Sequence, residues 1–266
     1  MKTSNQFFVA LAGLLLLLSP CAVFAQDESP QRPEYISVTQ MYWNKNYDAS
    51  PDEWKAVEKE YMEKVTKKNE YIMSAGYYTH LFTANSNELM YVQAYSNWEA
   101  IDKARDRNEE LEKEAWPDED ARKAFLKKMN SAYSTFHSDE IYATLEGAKY
   151  MTKGSEKDMV LYLRQSTMAF PEDGTRKEFM ELHKKLRDNV IYKNEYIKAY
   201  YPSIHSWGAD KRDLNEAIMI DDMADLHKMF DRSQELIKDA FTEEESKAFG
   251  KYFKRHGDYL YTAIKL

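Results

Sequence analysis

The chain carries a single cysteine, Cys21, in 266 residues. It therefore has no intramolecular disulfide and no thiolate-rich metal site, and its stability must come from packed cores. Basic residues are interspersed among a larger number of acidic ones, giving a formal net charge of -8. No basic stripe interleaved with aromatics is present, so nucleic acid is not an expected partner. No HExxH-like or Cys-rich spacing occurs, so no metal centre is expected either. Long apolar runs are scarce. The one at residues 7–18 is short and gives way to the polar stretch 26–32, which argues against a membrane span. With Lys2 ahead of it and Val23-Phe24-Ala25 as a small-residue cleavage pattern before Gln26, it reads as a secretory signal over residues 1–25. The mature chain is then expected to be secreted or periplasmic, without a membrane span. A lipid anchor on Cys21 is the rival reading. Pro20 stands where such a signal needs a small, flexible residue, so Cys21 is expected to leave with the signal.

What the chain does have is an internal repeat. Lys68-Asn69-Glu70-Tyr71-Ile72 recurs as Lys193-Asn194-Glu195-Tyr196-Ile197. Laying one on the other brings residues 34–122 onto 159–247 without a gap. Gln40 then meets Gln165, His80 meets His205, and Asp106-Arg107 meets Asp231-Arg232. After a short deletion the ends agree again, His137-Ser138-Asp139 against His256-Gly257-Asp258. A duplicated domain follows. The expected organisation is a flexible leader at 26–33, copy 1 at 34–145, a linker at 146–158 and copy 2 at 159–266.

Within each copy the pattern is readable. Residues 35–43 and 160–168 are rich in β-branched and aromatic residues and predict strands. Ile36 and Val38, matched by Leu161 and Leu163, mark an apolar face expected to pack on helices; Ser37 and Thr39, matched by Tyr162 and Arg164, mark the other. Ser50-Pro51-Asp52-Glu53 has the form of a capping box opening a helix whose buried stripe is Trp54, Val57, Tyr61, Val65 and Lys68. The repeated pentapeptide ends that helix and is expected to pack on the sheet through Tyr71 and Ile72. A hairpin follows around Asn85-Ser86-Asn87, with Gly208-Ala209-Asp210 in the same loop of the second copy. Ser96-Asn97-Trp98-Glu99 suggests another capping box, with a helix to Ala115 that Pro117 breaks. A further helix is predicted over 118–136, and closing strands over 140–145 and 259–264.

The order strand, helix, strand, strand, helix with an extension, strand is similar to the ferredoxin-like fold. Together with a hairpin running into a helix that opens Asn97-Trp98-Glu99-Ala100-Ile101, it resembles the dimeric α+β barrel superfamily, to which antibiotic-biosynthesis-type monooxygenases and haem-handling proteins belong. The resemblance implies an α+β chain in which two tandem ferredoxin-like domains form an intramolecular pseudo-dimeric barrel, with a ligand cavity in each half. It also implies a monomer that needs no second chain to close. The helical extension after Pro117 departs from the minimal pattern, and no catalytic motif of the superfamily is matched, so the resemblance names no reaction.

Several residue pairs are candidates for chemistry. His80 and His205 occupy matching strand positions, sharing faces with Tyr78 and Phe82 and with Ser203 and Trp207. Each suits a general base or a haem ligand, or else a half-buried histidine bonded to its neighbours. His137-x-Asp139 and His256-x-Asp258 place imidazole beside carboxylate if they lie on strands; at a helix-to-strand junction the aspartates would cap a turn instead. Gln40 and Gln165 orient a ligand if they face the lumen and satisfy buried backbone if they face helices; Ile36 and Val38 favour the helix side. Tyr162 and Arg164, on the more polar face, could meet an anionic or phenolic ligand in the second copy alone. Asp106-Arg107 and Asp231-Arg232 read as solvated ion pairs. His183 and His227, with Glu58 and Asp102 in the matching places, read as surface positions.

Three functional classes follow. The first is an exported protein binding a small apolar or aromatic molecule in a barrel lumen. The second is a cofactor-independent or haem-dependent monooxygenase-like enzyme with His80 or His205 as base or ligand. The third is an envelope protein-interaction module.

Overall fold

Strands with two different faces need cover on both, and here each sheet is covered by helices outside and by the other sheet inside. The computed structural model describes residues 31–151 and 154–266; the expected signal, Cys21 and most of the leader lie outside them. Its elements are β1 (Tyr35–Trp43), α1 (Pro51–Lys64), β2 (Ser74–Phe82), β3 (Glu88–Tyr95), α2 (Trp98–Ala115), α3 (Glu119–Asn130) and β4 (Tyr133–Thr144). They continue with β5 (Met159–Met168), α4 (Arg176–Leu186), β6 (Ala199–Trp207), β7 (Leu214–Ile220), α5 (Ala224–Ala240), α6 (Glu243–Gly250) and β8 (Phe253–Ala263). The strands close into one antiparallel barrel in the order β1-β3-β2-β8-β5-β7-β6-β4. Each half contributes a ferredoxin-like sheet, and two seams, β2 with β8 and β4 with β6, join them. Among the described residues no helix is long and apolar enough to cross a membrane.

Local chemistry sets the helix starts. Ser50 Oγ accepts from Glu53 N–H while Glu53 Oε2 accepts from Ser50 N–H, with Pro51 in the first turn. Thr242 and Glu245 repeat the box at α6. At α2 the cap is Asn97 alone, its Oδ1 accepting from Ala100 N–H at 2.9 Å, one residue later than the expected box. The predicted stripe of α1 is partly revised: Trp54, Val57, Met62 and Val65 are buried, whereas Lys68 is exposed. The helix expected to reach residue 136 ends at Asn130, and β4 begins at Tyr133. Pairing with β1 as far as Trp43↔Tyr133 outweighs helix propensity there.

The expected orientation of the sheets is reversed. Val38, Tyr78 and Met90 of the first sheet pack against Leu161, Leu163, Met219 and Tyr261 of the second, so the apolar face lines the lumen. The helices instead meet the other face: Tyr77 and Leu89 lie under Trp54 and Met62, and Tyr162, Tyr200 and Ile218 lie under Met229. The reason is dryness. A sheet-to-sheet interior is sealed on every side, whereas amphipathic helices leave gaps that polar side chains tolerate.

The repeated pentapeptide does more than pack on the sheet. Asn69 is fully buried, its Nδ2 donating to Ala104 O (2.8 Å) and Asn108 Oδ1 (2.7 Å) while its Oδ1 accepts from Tyr71 N–H (3.0 Å). Asn194 makes the matching set with Met229 O, Ser233 Oγ and Tyr196 N–H. Glu70 and Glu195 reach Arg107 and Arg232 on the same helices. The string therefore clamps the end of the first helix of each half to the second. Asn69→Ala and Asn194→Ala are each expected to lower unfolding free energy by about 2–3 kcal/mol, since buried donors and acceptors lose partners. Urea denaturation measures this, and a loss near zero in both variants would show that the clamp is dispensable.

Candidate functional site

Chemistry-bearing residues gather at the ends of the lumen, and the two ends differ. In the second half, His205 projects from β6 with Nε2 3.1 Å from Glu140 Oε2 on β4. The Glu140 carboxylate also accepts the backbone N–H groups of Ala209 and Asp210. Gly208, at φ 126°, makes that turn possible: a Cβ there would lie 1.9 Å from Glu140 Oε2. Asp210 then receives Tyr142 Oη–H (2.9 Å) and Gln165 Nε2–H (3.3 Å), and Arg212 grips both its oxygens at 2.7 and 3.0 Å. Burial works to raise the Asp210 pKa, but the Arg212 guanidinium and its hydrogen bonds hold it below the ordinary carboxylate range. Arg212 also donates to Tyr259 Oη at 2.9 Å. Asp210 and Arg212 face each other, Glu140 holds two backbone N–H groups, and the loop over residues 208–213 is tied down by these contacts.

The first half uses the matching positions differently. Tyr261 donates to buried Glu88, Gln40 Nε2 donates to Leu89 O at 3.3 Å, and His80 Nδ1 lies 2.8 Å from Thr83 Oγ1. Tyr78 is half-buried against the lumen cluster, where burial pushes its hydroxyl up to about 12. Where the second copy places Asp210 and Arg212, the first has Asn85 and Asn87, which carry no charge. Beside them opens a cleft of about 550 Å³, lined by Tyr42, Trp43, the segment 44–46, Asn85, Asn87, Ser134 and Phe136. Its volume lies in the range of small-molecule sites.

Gln40 and Gln165 both project into the lumen, against the expectation from their apolar neighbours, because those neighbours are the lumen's own lining. Tyr162 and Arg164 point to the helix side. Tyr162 donates to Asp258 and meets Phe230 edge-on, while Arg164 lies opposite Glu216. Trp207 leaves the face of His205 through a β-bulge that sets it opposite Ile141, and it stands 70% exposed. The pairs His137 with Asp139 (3.5 Å) and His256 with Asp258 (2.8 Å) are strand neighbours on the exposed outer face, and neither aspartate caps a turn. Arg107 and Arg232 are ion-paired, but with Glu110 and Glu235 and not with the adjacent Asp106 and Asp231. His183 and Glu58, read as surface positions, are among the most buried residues of the protein.

The cleft residues escaped the sequence reading, although a signal for them existed. Under the repeat, Asn44, Lys45 and Asn46 fall on Ala169, Phe170 and Pro171, so this run of polar residues belongs to the first copy alone. The expected one-sided pocket lay in the second copy, whereas the open cleft is in the first.

At His205 the Nε2 edge of the ring is already engaged and not open to a haem iron. Nε2 of His205 is held by Glu140, with Tyr142 edge-on to the imidazole at 5.6 Å. Across the lumen, side chains of the two sheets touch, among them Val38, Tyr78, Leu161 and Tyr261. Among the described residues no group of three or more metal-ligating side chains converges.

The chain matches no family model and no curated protein. Among solved structures it is similar to a monooxygenase candidate from Fusobacterium nucleatum subsp. nucleatum, with TM-score 0.54 and 10% identity over 88% of this chain and 94% of that one. A monooxygenase candidate from Lactobacillus acidophilus gives 0.52 and 11% over 88% and 94%. A mutant chlorite dismutase from Candidatus Nitrospira defluvii gives 0.53 and 8% over 88% and 93%. At such identity the likeness concerns architecture alone. Strand order, seams and these neighbours agree on the fold: an α+β barrel closed within one polypeptide from two tandem ferredoxin-like units.

Proposed function

We propose that this is an exported binding protein that takes a small molecule in the open cleft at the end of its first half-barrel. The cleft of about 550 Å³ between β1, β4 and the β2–β3 hairpin carries the reading. Side-chain contacts across the lumen favour this position over the interior, and the Asp210–Arg212 network favours use of one half rather than both. Export rests on the sequence pattern of residues 1–25.

The test is amide-resolved NMR with a panel of small neutral and aromatic compounds. Shifts confined to residues around Tyr42, Asn87 and Phe136 are expected. A panel that moves only lumen residues, or none, would sink the proposal.

A second reading, oxygenase-type turnover, draws on the names of the structural neighbours. It requires His80 or His205 to reach a substrate. Oxygen consumption with phenolic substrates that disappears in His205→Ala or His80→Ala would favour it. Haem addition is expected to give a spectrum equal to the sum of its parts; a Soret shift lost in His205→Ala would overturn the steric argument above.

A further inference from the structure

We infer that the cleft recognises a carbohydrate, a neutral polyhydroxylated ring laid on the exposed face of Phe136; this rests on the proposal that the cleft is the ligand site. The lining decides the class. The polar lining is neutral: Asn46, Asn85 and Asn87 offer donors and acceptors, Asn44 and Ser134 are bonded to neighbouring backbone, Lys45 is the single charged side chain, and no carboxylate takes part. A sugar hydroxyl both donates and accepts, and an amide answers both. An anion would find one ammonium, a cation would find no counter-charge, and a purely apolar molecule would strip water from the amides of Asn46, Asn85 and Asn87 without replacing it.

Phe136 supplies the platform. It is 68% exposed on a strand, with its ring 5.5 Å from that of Tyr42 at 35°. The two rings lean on each other instead of forming a slot, so one face of Phe136 stands open for the C–H face of a ligand. Two tilted rings in contact do not make the parallel-walled gap that a flat base fills. The amides are also held in place. Asn87 Nδ2 donates to Trp43 O at 2.9 Å and Asn44 Nδ2 to Ser131 O at 3.0 Å, while Asn85 Oδ1 accepts from Asn87 N–H at 2.9 Å. The ties of Asn85 and Asn87 each fix one arm of the side chain, whereas Asn44 is held at both, its Oδ1 accepting from Asn46 N–H at 3.0 Å, so that among the described residues Asn87 Oδ1 and Asn85 Nδ2 are left to meet a ligand without further ordering. The fold itself does not call for these groups: the second copy closes the same barrel with Ala169, Pro171, Asp210 and Arg212 in the corresponding places.

The experiment titrates the full chain with maltotetraose, cellotetraose and chitotetraose, and separately with adenosine and 1-naphthol, following amide shifts and calorimetric heat. At least one oligosaccharide is expected to move cleft resonances saturably. Phe136→Ala is expected to weaken that binding tenfold or more and Asn46→Ala by about threefold, with unchanged circular dichroism. Phe82→Ala, which removes another exposed aromatic outside the cleft, is expected to leave it intact. Cleft shifts with adenosine or naphthol but with no sugar would overturn the carbohydrate assignment while leaving a cleft ligand in place. Silence from every probe would overturn both. Sugar binding indifferent to Phe136→Ala would overturn the platform.

Discussion

His183→Ala is expected to lower unfolding free energy by about 3–4 kcal/mol, because it breaks a buried polar cluster and opens a void under α4. His183 is 1% exposed, with Nε2 3.0 Å from Tyr200 Oη and 3.9 Å from Glu216 Oε1. Tyr200 donates to Glu216 at 2.8 Å, and burial followed by the Glu216 charge keeps its hydroxyl protonated. Burial also pushes the Glu216 pKa up, but hydrogen bonding and charge from His183, with help from Tyr200, bring it below the ordinary carboxylate value. A depressed carboxylate stabilises the fold above its unfolded pKa, and that stability is lost as pH falls through the folded value. Without the imidazole the depression is released. The deficit of His183→Ala is therefore expected to shrink as pH falls through the folded value of Glu216. Urea midpoints measured from pH 7 downward check this; a deficit independent of pH would leave only the void.

Glu58 holds the matching position in the first half and is expected to respond in the opposite direction. It is 1% exposed and accepts Tyr77 Oη–H and Tyr133 Oη–H, each at 2.6 Å; Trp54 Nε1 donates in turn to Tyr133 Oη. Burial is the larger influence and raises its pKa, while the two tyrosine hydrogen bonds pull it down. A raised carboxylate stabilises the fold below its unfolded pKa, and this contribution is lost as pH rises through the folded value. Glu58→Ala removes the acceptor shared by two buried hydroxyls and is expected to cost about 3 kcal/mol at pH 7. Glu58→Gln keeps the shape without the charge. It is expected to be more stable than the wild type at neutral pH, with the advantage narrowing toward pH 4. A Gln variant that is weaker at both pH values would mean that the ionised carboxylate is the stabilising form. Together the substitutions predict that the two halves, alike in backbone, titrate in opposite senses.

These clusters also show why burial was misjudged from residue type. A glutamate and a histidine on helices are surface residues by default, and their partners arrive from distant strands: Tyr133 for Glu58, Tyr200 and Glu216 for His183. Only the closed sheet brings them together. The same holds for Asp210 and Gln165, joined across β5, β7 and the loop between β6 and β7.

The sequence by itself determined the duplication, the order of elements, the caps at Ser50 and Thr242 and the break at Pro117, because each depends on neighbours within a few positions or on self-similarity. It also matched His80 with His205, but it left open whether the two His-x-Asp pairs lie on strands or cap a turn, which the strands β4 and β8 decide. Tertiary structure alone decided which face of each sheet turns inward, because alternation distinguishes two faces without saying which is sealed from water. It also decided where the second half is locked by Asp210 and Arg212 and where the first remains open beside Phe136, since those differences arise from contacts between strands far apart in the chain.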